Sequence, residues 1–221
     1  MKKETDELGL AAVYLSRALK EEGCPICRRV RESEERWIWT VLYELTGDPE
    51  LHEKFAQSLG LCREHAALMA KVVETRELVT PTSVARLYET VVSQVLQDLP
   101  RPNRGPCPLC ELAEEVAERE SFFLGRLLLD PEFWEAFQRS DGLCLTHFLR
   151  VWRLAPEKIR PSLLSDHRER FHRLLQNLRE FQRKERFDVP EKPTEEEIRS
   201  WREALWRLSG MSFSEPLIKR G

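Results

Sequence analysis

The sequence predicts an all-α fold made of duplicated, metal-stapled helical units with pseudo-twofold symmetry, followed by C-terminal helices. Three observations carry that prediction. Apolar residues recur three, four and seven apart along most of the chain, and no period-two run of β-branched residues is long enough for a strand. The segment DPELHEKFAQSLGLCREH (48–65) returns as DPEFWEAFQRSDGLCLTH (130–147), identical at ten of 18 positions. Upstream of each copy, CPIC at 24–27 returns as CPLC at 107–110.

Residues 1–23 predict an amphipathic N-terminal helix. Its apolar run from Leu8 to Leu15 ends at Ser16 and Arg17 without a leader-like continuation, so a cytoplasmic protein is expected. No segment approaches the ~20 apolar residues that a membrane span requires. The first unit, 24–99, opens at CPIC and continues with a helical stripe of Val30, Trp37, Ile38, Val41, Leu42 and Leu45. Asp48-Pro49 then reads as an N-cap followed by proline at the first helical position, Gly60 as the end of that short helix, and Cys62 as the start of the next.

The linker LPRPNRGP (99–106) carries too many prolines for a continuous helix. The second unit, 107–187, repeats the plan with Leu112, Val116, Phe123, Leu124 and Leu127, then Asp130-Pro131, Gly142 and Cys144. Its distal part predicts a heptad-like packing seam of Leu164, His167, Phe171, Leu174, Leu178 and Phe181. Residues 188–221 hold a last helix and a tail. TEEE at 194–197 is a capping box, and Trp201, Leu205 and Trp206 mark the apolar side.

A content of 41% hydrophobic and 33% charged residues describes a globular chain rather than a disordered one. The net charge of −3 is unevenly placed, with −8 on residues 1–144 and +5 on 145–221. That polarity suits an acidic partner or self-association into a homo-oligomer, and it falls far short of a dedicated nucleic-acid binder.

All six cysteines lie inside the repeat, three per copy, and a histidine completes each set: His65 after Cys62, His147 after Cys144. The patterns are C-x2-C-x34-C-x2-H (Cys24, Cys27, Cys62, His65) and C-x2-C-x33-C-x2-H (Cys107, Cys110, Cys144, His147). Three thiolates and one imidazole, paired at x2 spacing, form a tetrahedral Zn²⁺ ligand set. Two zinc ions per chain are expected, with an iron–sulfur cluster ranked behind because such clusters usually take four cysteines. Whether the ligands pair within a unit or are exchanged between units is left open by the spacing.

Four ligands close each coordination sphere, so the metals read as structural rather than catalytic. Pro25 and Pro108 place Cys24 and Cys107 at helix N-caps, and Cys62 and Cys144 also begin helices. Helix N-termini would therefore offset the negative charge of three thiolates. Other candidates carry less. His52, His167 and His172 read as packing or surface residues, and the six tryptophans as core. Arg168–Arg186, with seven basic side chains, reads as a solvated face. None of the common phosphate-loop, dinucleotide-binding or hydrolase motifs is present.

The CPxC…DPE…GLCxxH layout, covering about 24–150, resembles a family of uncharacterised bacterial proteins with duplicated Cys-rich helical units. The resemblance rests on CPIC, CPLC, GLCREH and GLCLTH. It implies a bacterial cytoplasmic protein with metal sites and brings no established activity. The functional expectation is a non-enzymatic, zinc-binding helical scaffold or adaptor for a macromolecular partner, protein first. A thiol/zinc redox sensor and a nucleic-acid-binding regulator using the 168–186 helix are the alternatives.

Overall fold

The computed structural model describes residues 2–210, with side chains from Leu8 onward. Ten α-helices run through them: α1 Lys2–Ala18, α2 Pro25–Tyr43, α3 Pro49–Gln57, α4 Arg63–Thr75, α5 Pro81–Asp98, α6 Pro108–Leu127, α7 Pro131–Arg139, α8 Leu145–Leu154, α9 Arg160–Lys184 and α10 Glu195–Ser209. No strand occurs among the described residues. The fold is all-α. The tail beyond Gly210 lies outside the described residues.

Helix starts follow local chemistry. Asp48 accepts from the Glu50 and Leu51 N–H groups and Asp130 from that of Phe133, with Pro49 and Pro131 at the first helical positions. Thr194 and Glu197 close a reciprocal capping box at α10. The glycines predicted to end α3 and α7 sit two residues beyond the C-caps Ser58 and Ser140, both at φ +77°. Gly60 N–H still reaches back to the Phe55 carbonyl (2.8 Å), so the turn is stitched to the helix it follows.

The chain divides into two compact units, Val30–Val116 and Met1–Arg29 with Ala117–Gly221. The division cuts the repeats near the CPxC motifs: α2 and α6 each have their first turns in one unit and the remainder in the other.

The Val30–Val116 unit has a core of Ile38, Val41, Leu42, Leu51, Phe55, Leu87 and their neighbours. Trp37 stacks parallel to Phe55 at 6.1 Å, and Tyr88 meets the same ring edge-on at 6.0 Å. Helices α3 and α5 pack together there. In the other unit, α8, α9 and α10 pack against one another, and His167 of α9 stacks on Phe148 of α8 at 3.8 Å.

Two sequence expectations about this C-terminal packing change. On α9 the buried residues are Leu163, His167, Arg170 and Leu174, so Leu164 gives way to Leu163 and an arginine enters the seam. The reason is that the Arg170 guanidinium takes the carbonyls of Phe137, Gln138 and Ser140 while pairing with Asp166. On α10 Trp206 is buried, but Trp201 and Leu205 are exposed. The inward face carries Glu197, Ser200 and Arg207 instead, because Glu197 forms a bidentate pair with Lys184 of α9 (2.8 and 2.9 Å).

Candidate metal centres

Each ligand half-site begins a helix. Cys62 and Cys144 are the N-caps of α4 and α8, in extended conformation, so the histidine three residues on lies one turn into the helix on the same face. Cys24 and Cys107 immediately precede Pro25 and Pro108, the first residues of α2 and α6.

All eight residues singled out in the sequence fall into two groups, and the groups are exchanged between repeats. Cys24 and Cys27 of the first repeat meet Cys144 and His147 of the second. Cys107 and Cys110 of the second meet Cys62 and His65 of the first. In each group the donor atoms lie within 4.8 Å of one another and could hold a metal ion. The helices differ in length: the 19 residues of α2 span about 28 Å, whereas the nine of α3 span about 13 Å. The second repeat has the same imbalance, with 20 residues in α6 and nine in α7.

The geometry suits four-coordination. An ion roughly 2.3 Å from sulfur and roughly 2.0 Å from nitrogen, tetrahedrally ligated, sets sulfurs about 3.8 Å apart and sulfur and nitrogen about 3.5 Å apart. Observed sulfur–sulfur distances are 3.8 Å (Cys27–Cys144) and 3.7 Å (Cys62–Cys110). His147 Nδ1 lies 3.5, 3.2 and 3.2 Å from the sulfurs of Cys24, Cys27 and Cys144. His65 Nδ1 lies 3.2, 3.5 and 3.4 Å from those of Cys62, Cys107 and Cys110. All six thiols are free.

The groups differ in their surroundings. Cys24 and Cys144 are buried and Cys27 half-buried, whereas Cys107 is buried, Cys62 half-buried and Cys110 exposed. We term them the buried and the open centre. At the open centre His65 Nε2 bonds the Glu34 carboxylate at 3.0 Å, which orients the ring so that Nδ1 faces the sulfurs. The Glu34 hydrogen bond leads the forces that raise His65 to about 9; burial opposes it, and Cys107 and Cys62 reinforce it. Burial also opposes the rise of His147 to about 9, but hydrogen bonds with Cys144 and Cys24 outweigh it.

Among the thiols, burial would push Cys107 up. Backbone N–H groups of Cys62, Cys110 and Leu109, together with His65, instead bring it down to about 7. The Cys62 N–H donates to Cys107 Sγ at 3.4 Å, a helix N-terminus stabilising a thiolate. Cys24 is likewise held well below the ordinary thiol value, against burial, by Cys144, Cys27 and His147. Burial, and then Cys62 and Cys107, push Cys110 up to about 12. Hydrogen bonds with Cys144 and Cys24 push Cys27 up as well.

Sequence reasoning missed the residues that hold the half-sites in place. In the Val30–Val116 unit, Arg104 from the proline-rich linker donates to the Leu61 carbonyl (2.6 Å) and to that of Ser58 (3.3 Å), just ahead of Cys62. In the other unit Arg170 does the corresponding work on the loop ahead of Cys144. Both loops end in buried carbonyls that need donors. Two further histidines serve structure: His167 stacks on Phe148, and His52 bridges Thr90 Oγ1 (2.7 Å) and the Thr46 carbonyl (2.9 Å). Burial depresses His167 to about 4.

A family of unknown function, DUF6062, matches residues 2–103. That match covers the first repeat and ends before CPLC, so it takes in one half-site of each centre. No curated protein and no solved structure matches the chain. Among the described residues no helix is long and apolar enough to cross a membrane.

Proposed function

We propose that this protein is a zinc-stapled helical scaffold that binds a macromolecular partner, protein first, and that it performs no catalysis at its metals. The observation that carries the reading is the closure of both centres, where each converging set supplies three sulfurs and one nitrogen at tetrahedral spacing. Soft thiolates with one imidazole favour Zn²⁺ over hard cations. A sphere filled by protein ligands has no position for a reacting water.

A protein partner is supported by the outer face of α10. Ile198, Trp201, Leu205 and Leu208 are spaced three, four and three apart and are each between 46% and 56% exposed. An apolar stripe of this length on one helix is what a partner's groove or helix would cover. The arginines along α9 favour nucleic-acid phosphates less, because Arg183 pairs with Glu180 and Glu191 and Arg170 is taken up by loop carbonyls and Asp166. The second reading, a thiol/zinc redox sensor, is favoured by the exposure of Cys110 at the open centre. The proposed setting is the bacterial cytoplasm.

Metal analysis of the purified chain tests the first part. Two zinc ions per chain are expected, and well under one zinc with six free thiols and intact helicity overturns it. Trp201→Glu with Leu205→Glu tests the second. Zinc content and melting should stay as in the parent, while cross-links formed in cells from a photoreactive residue at position 198 disappear. Cross-links unchanged by the double substitution would remove α10 as the binding face.

A further inference from the structure

The unit formed by Met1–Arg29 and Ala117–Gly221 contains a cavity of about 660 Å³ that the metal centres do not use. Its walls are the loop between α7 and α8, one side of α9 and the N-terminal and inner parts of α10, and its edge includes Gly23 directly before Cys24. Six arginines line it, Arg139, Arg170, Arg173, Arg199, Arg202 and Arg207, against four carboxylates. Two of those carboxylates are engaged: Asp141 accepts the Gly23 N–H at 2.6 Å, and Glu203 pairs with Arg207 Nε at 2.6 Å.

The decisive residue is Arg207. Its side chain is 5% exposed, and it lies against the Trp206 ring with its guanidinium carbon 4.4 Å from the centroid. Glu203 takes Nε, but among the described residues Nη1 has no hydrogen-bond partner. A buried guanidinium N–H left unpaired costs free energy that an acceptor entering the cavity would recover. Arg170, also buried, is by contrast saturated by carbonyls and Asp166, so it shapes the wall rather than offering donors. Arg202, exposed and lying over Trp201, and Arg173, at the rim in a solvent-exposed 3.4 Å pair with Glu169, supply further charge.

We propose that this cavity is a binding site for a small polyanion carrying phosphate or carboxylate groups, with Arg207 Nη1 as the inner donor and Arg173 and Arg202 as rim donors. The volume matches a small-molecule pocket rather than a macromolecular groove. The fork geometry of guanidinium fits the paired oxygens of phosphate and carboxylate. The charged walls select a polar ligand over an apolar one. The proposal stands independently of which metal the centres hold.

The test uses the metal-loaded protein titrated with inorganic pyrophosphate and, separately, with tricarballylate, read by heat of binding and by intrinsic tryptophan fluorescence. Saturable binding of pyrophosphate alone assigns the site to phosphate ligands, of tricarballylate alone to polycarboxylates, and of both to the shared chemistry. Affinity should fall as ionic strength rises. Arg173→Gln and Arg202→Gln, both at solvent-facing positions where folding is safe, should each weaken binding about tenfold, the loss of one charge-assisted hydrogen bond. Arg207→Gln should weaken it further; if that variant does not fold, the two rim variants decide. Absence of binding by both probes at 10 mM, a level set well above ordinary metabolite affinities, overturns the proposal. So does equal binding by the parent and both rim variants.

Discussion

The two metal centres have the same donor set and opposite surroundings. At the buried centre two of three sulfurs are shut from solvent, and the chain folds back over it: a Cβ at Gly210 would stand 3.3 Å from Cys27 Sγ and 3.6 Å from Cys144 Sγ. At the open centre Cys110 faces solvent, and the histidine is braced from behind by Glu34. Ala117 occupies the position in the second repeat that Glu34 has in the first, so the brace was not duplicated with the ligands. The same donor set therefore stands in two environments, one largely closed from solvent and one with an exposed sulfur.

The sharpest way to break that comparison is to remove one sulfur from each centre. Structural zinc in small domains contributes about 10–16 kcal/mol, as much as the roughly 5–15 kcal/mol net stability of a typical domain. Cys144→Ser should cost one zinc and most of the helicity of its unit, because no water can replace a ligand that is fully buried. Cys110→Ser exposes the missing position to water, which can serve as a fourth ligand, so helicity should persist with a lower melting temperature. Zinc content and far-ultraviolet circular dichroism measure both. Equal loss in the two variants would erase the distinction.

A chelator or mild peroxide should then remove zinc in two phases, the fast one from the open centre, since exposure governs access to the thiolate. A zinc-sensitive dye follows the release, and Cys110→Ser, which leaves a water-completed site, should change the rate of the fast phase alone. A single phase would mean that the centres open together. Glu34→Gln comes next in size. Removing the carboxylate behind a metal-bound histidine weakens metal affinity about 10–100-fold. The loss should be confined to the open centre, in competition titrations that resolve two affinities.

The same contrast explains what was legible from sequence. The ligands were legible because thiol and imidazole at x2 spacing are local chemistry, and the helix starts because Asp48, Asp130 and Thr194 cap within three residues. The pairing was not. A Cys-x2-Cys half-site fits either Cys-x2-His half-site, and only the folded arrangement of the helices shows which one it meets. The face of α10 was misread for a similar reason: Lys184, 13 residues upstream of Glu197, turns a charged side inward and leaves Trp201 and Leu205 outside. Arg104 and Arg170 carry no sequence signal, since surface arginines are common and only the folded loop displays the carbonyls they bind.

Closer to the buried centre, Gly210→Ala asks how tightly the end of α10 is fitted. The residue caps α10 at φ +79°, where a Cβ costs about 1–2 kcal/mol. That Cβ would also press on Cys27 Sγ at a distance that sulfur must yield by a few tenths of an ångström. The expected result is a lowered melting temperature with both zinc ions retained and the fast release phase unchanged. A faster fast phase would place the effect at the wrong centre.

The smallest expected difference is between the two duplicated caps. Asp48 accepts two backbone N–H groups, from Glu50 at 2.8 Å and Leu51 at 3.1 Å, whereas Asp130 accepts only that of Phe133 at 3.0 Å. Replacing an N-cap aspartate by alanine costs about 0.5–2 kcal/mol, and a second accepted hydrogen bond should place Asp48→Ala toward the upper end of that range. Asp130→Ala should fall toward the lower end. Each cap begins the short helix whose C-terminal turn leads into a Cys-x2-His half-site, so its loss loosens the approach to one centre only. Asp48→Ala should accordingly speed zinc release from the open centre and Asp130→Ala from the buried one, both modestly. If either substitution altered both release phases alike, the two centres would be coupled through the long helices α2 and α6 rather than independent.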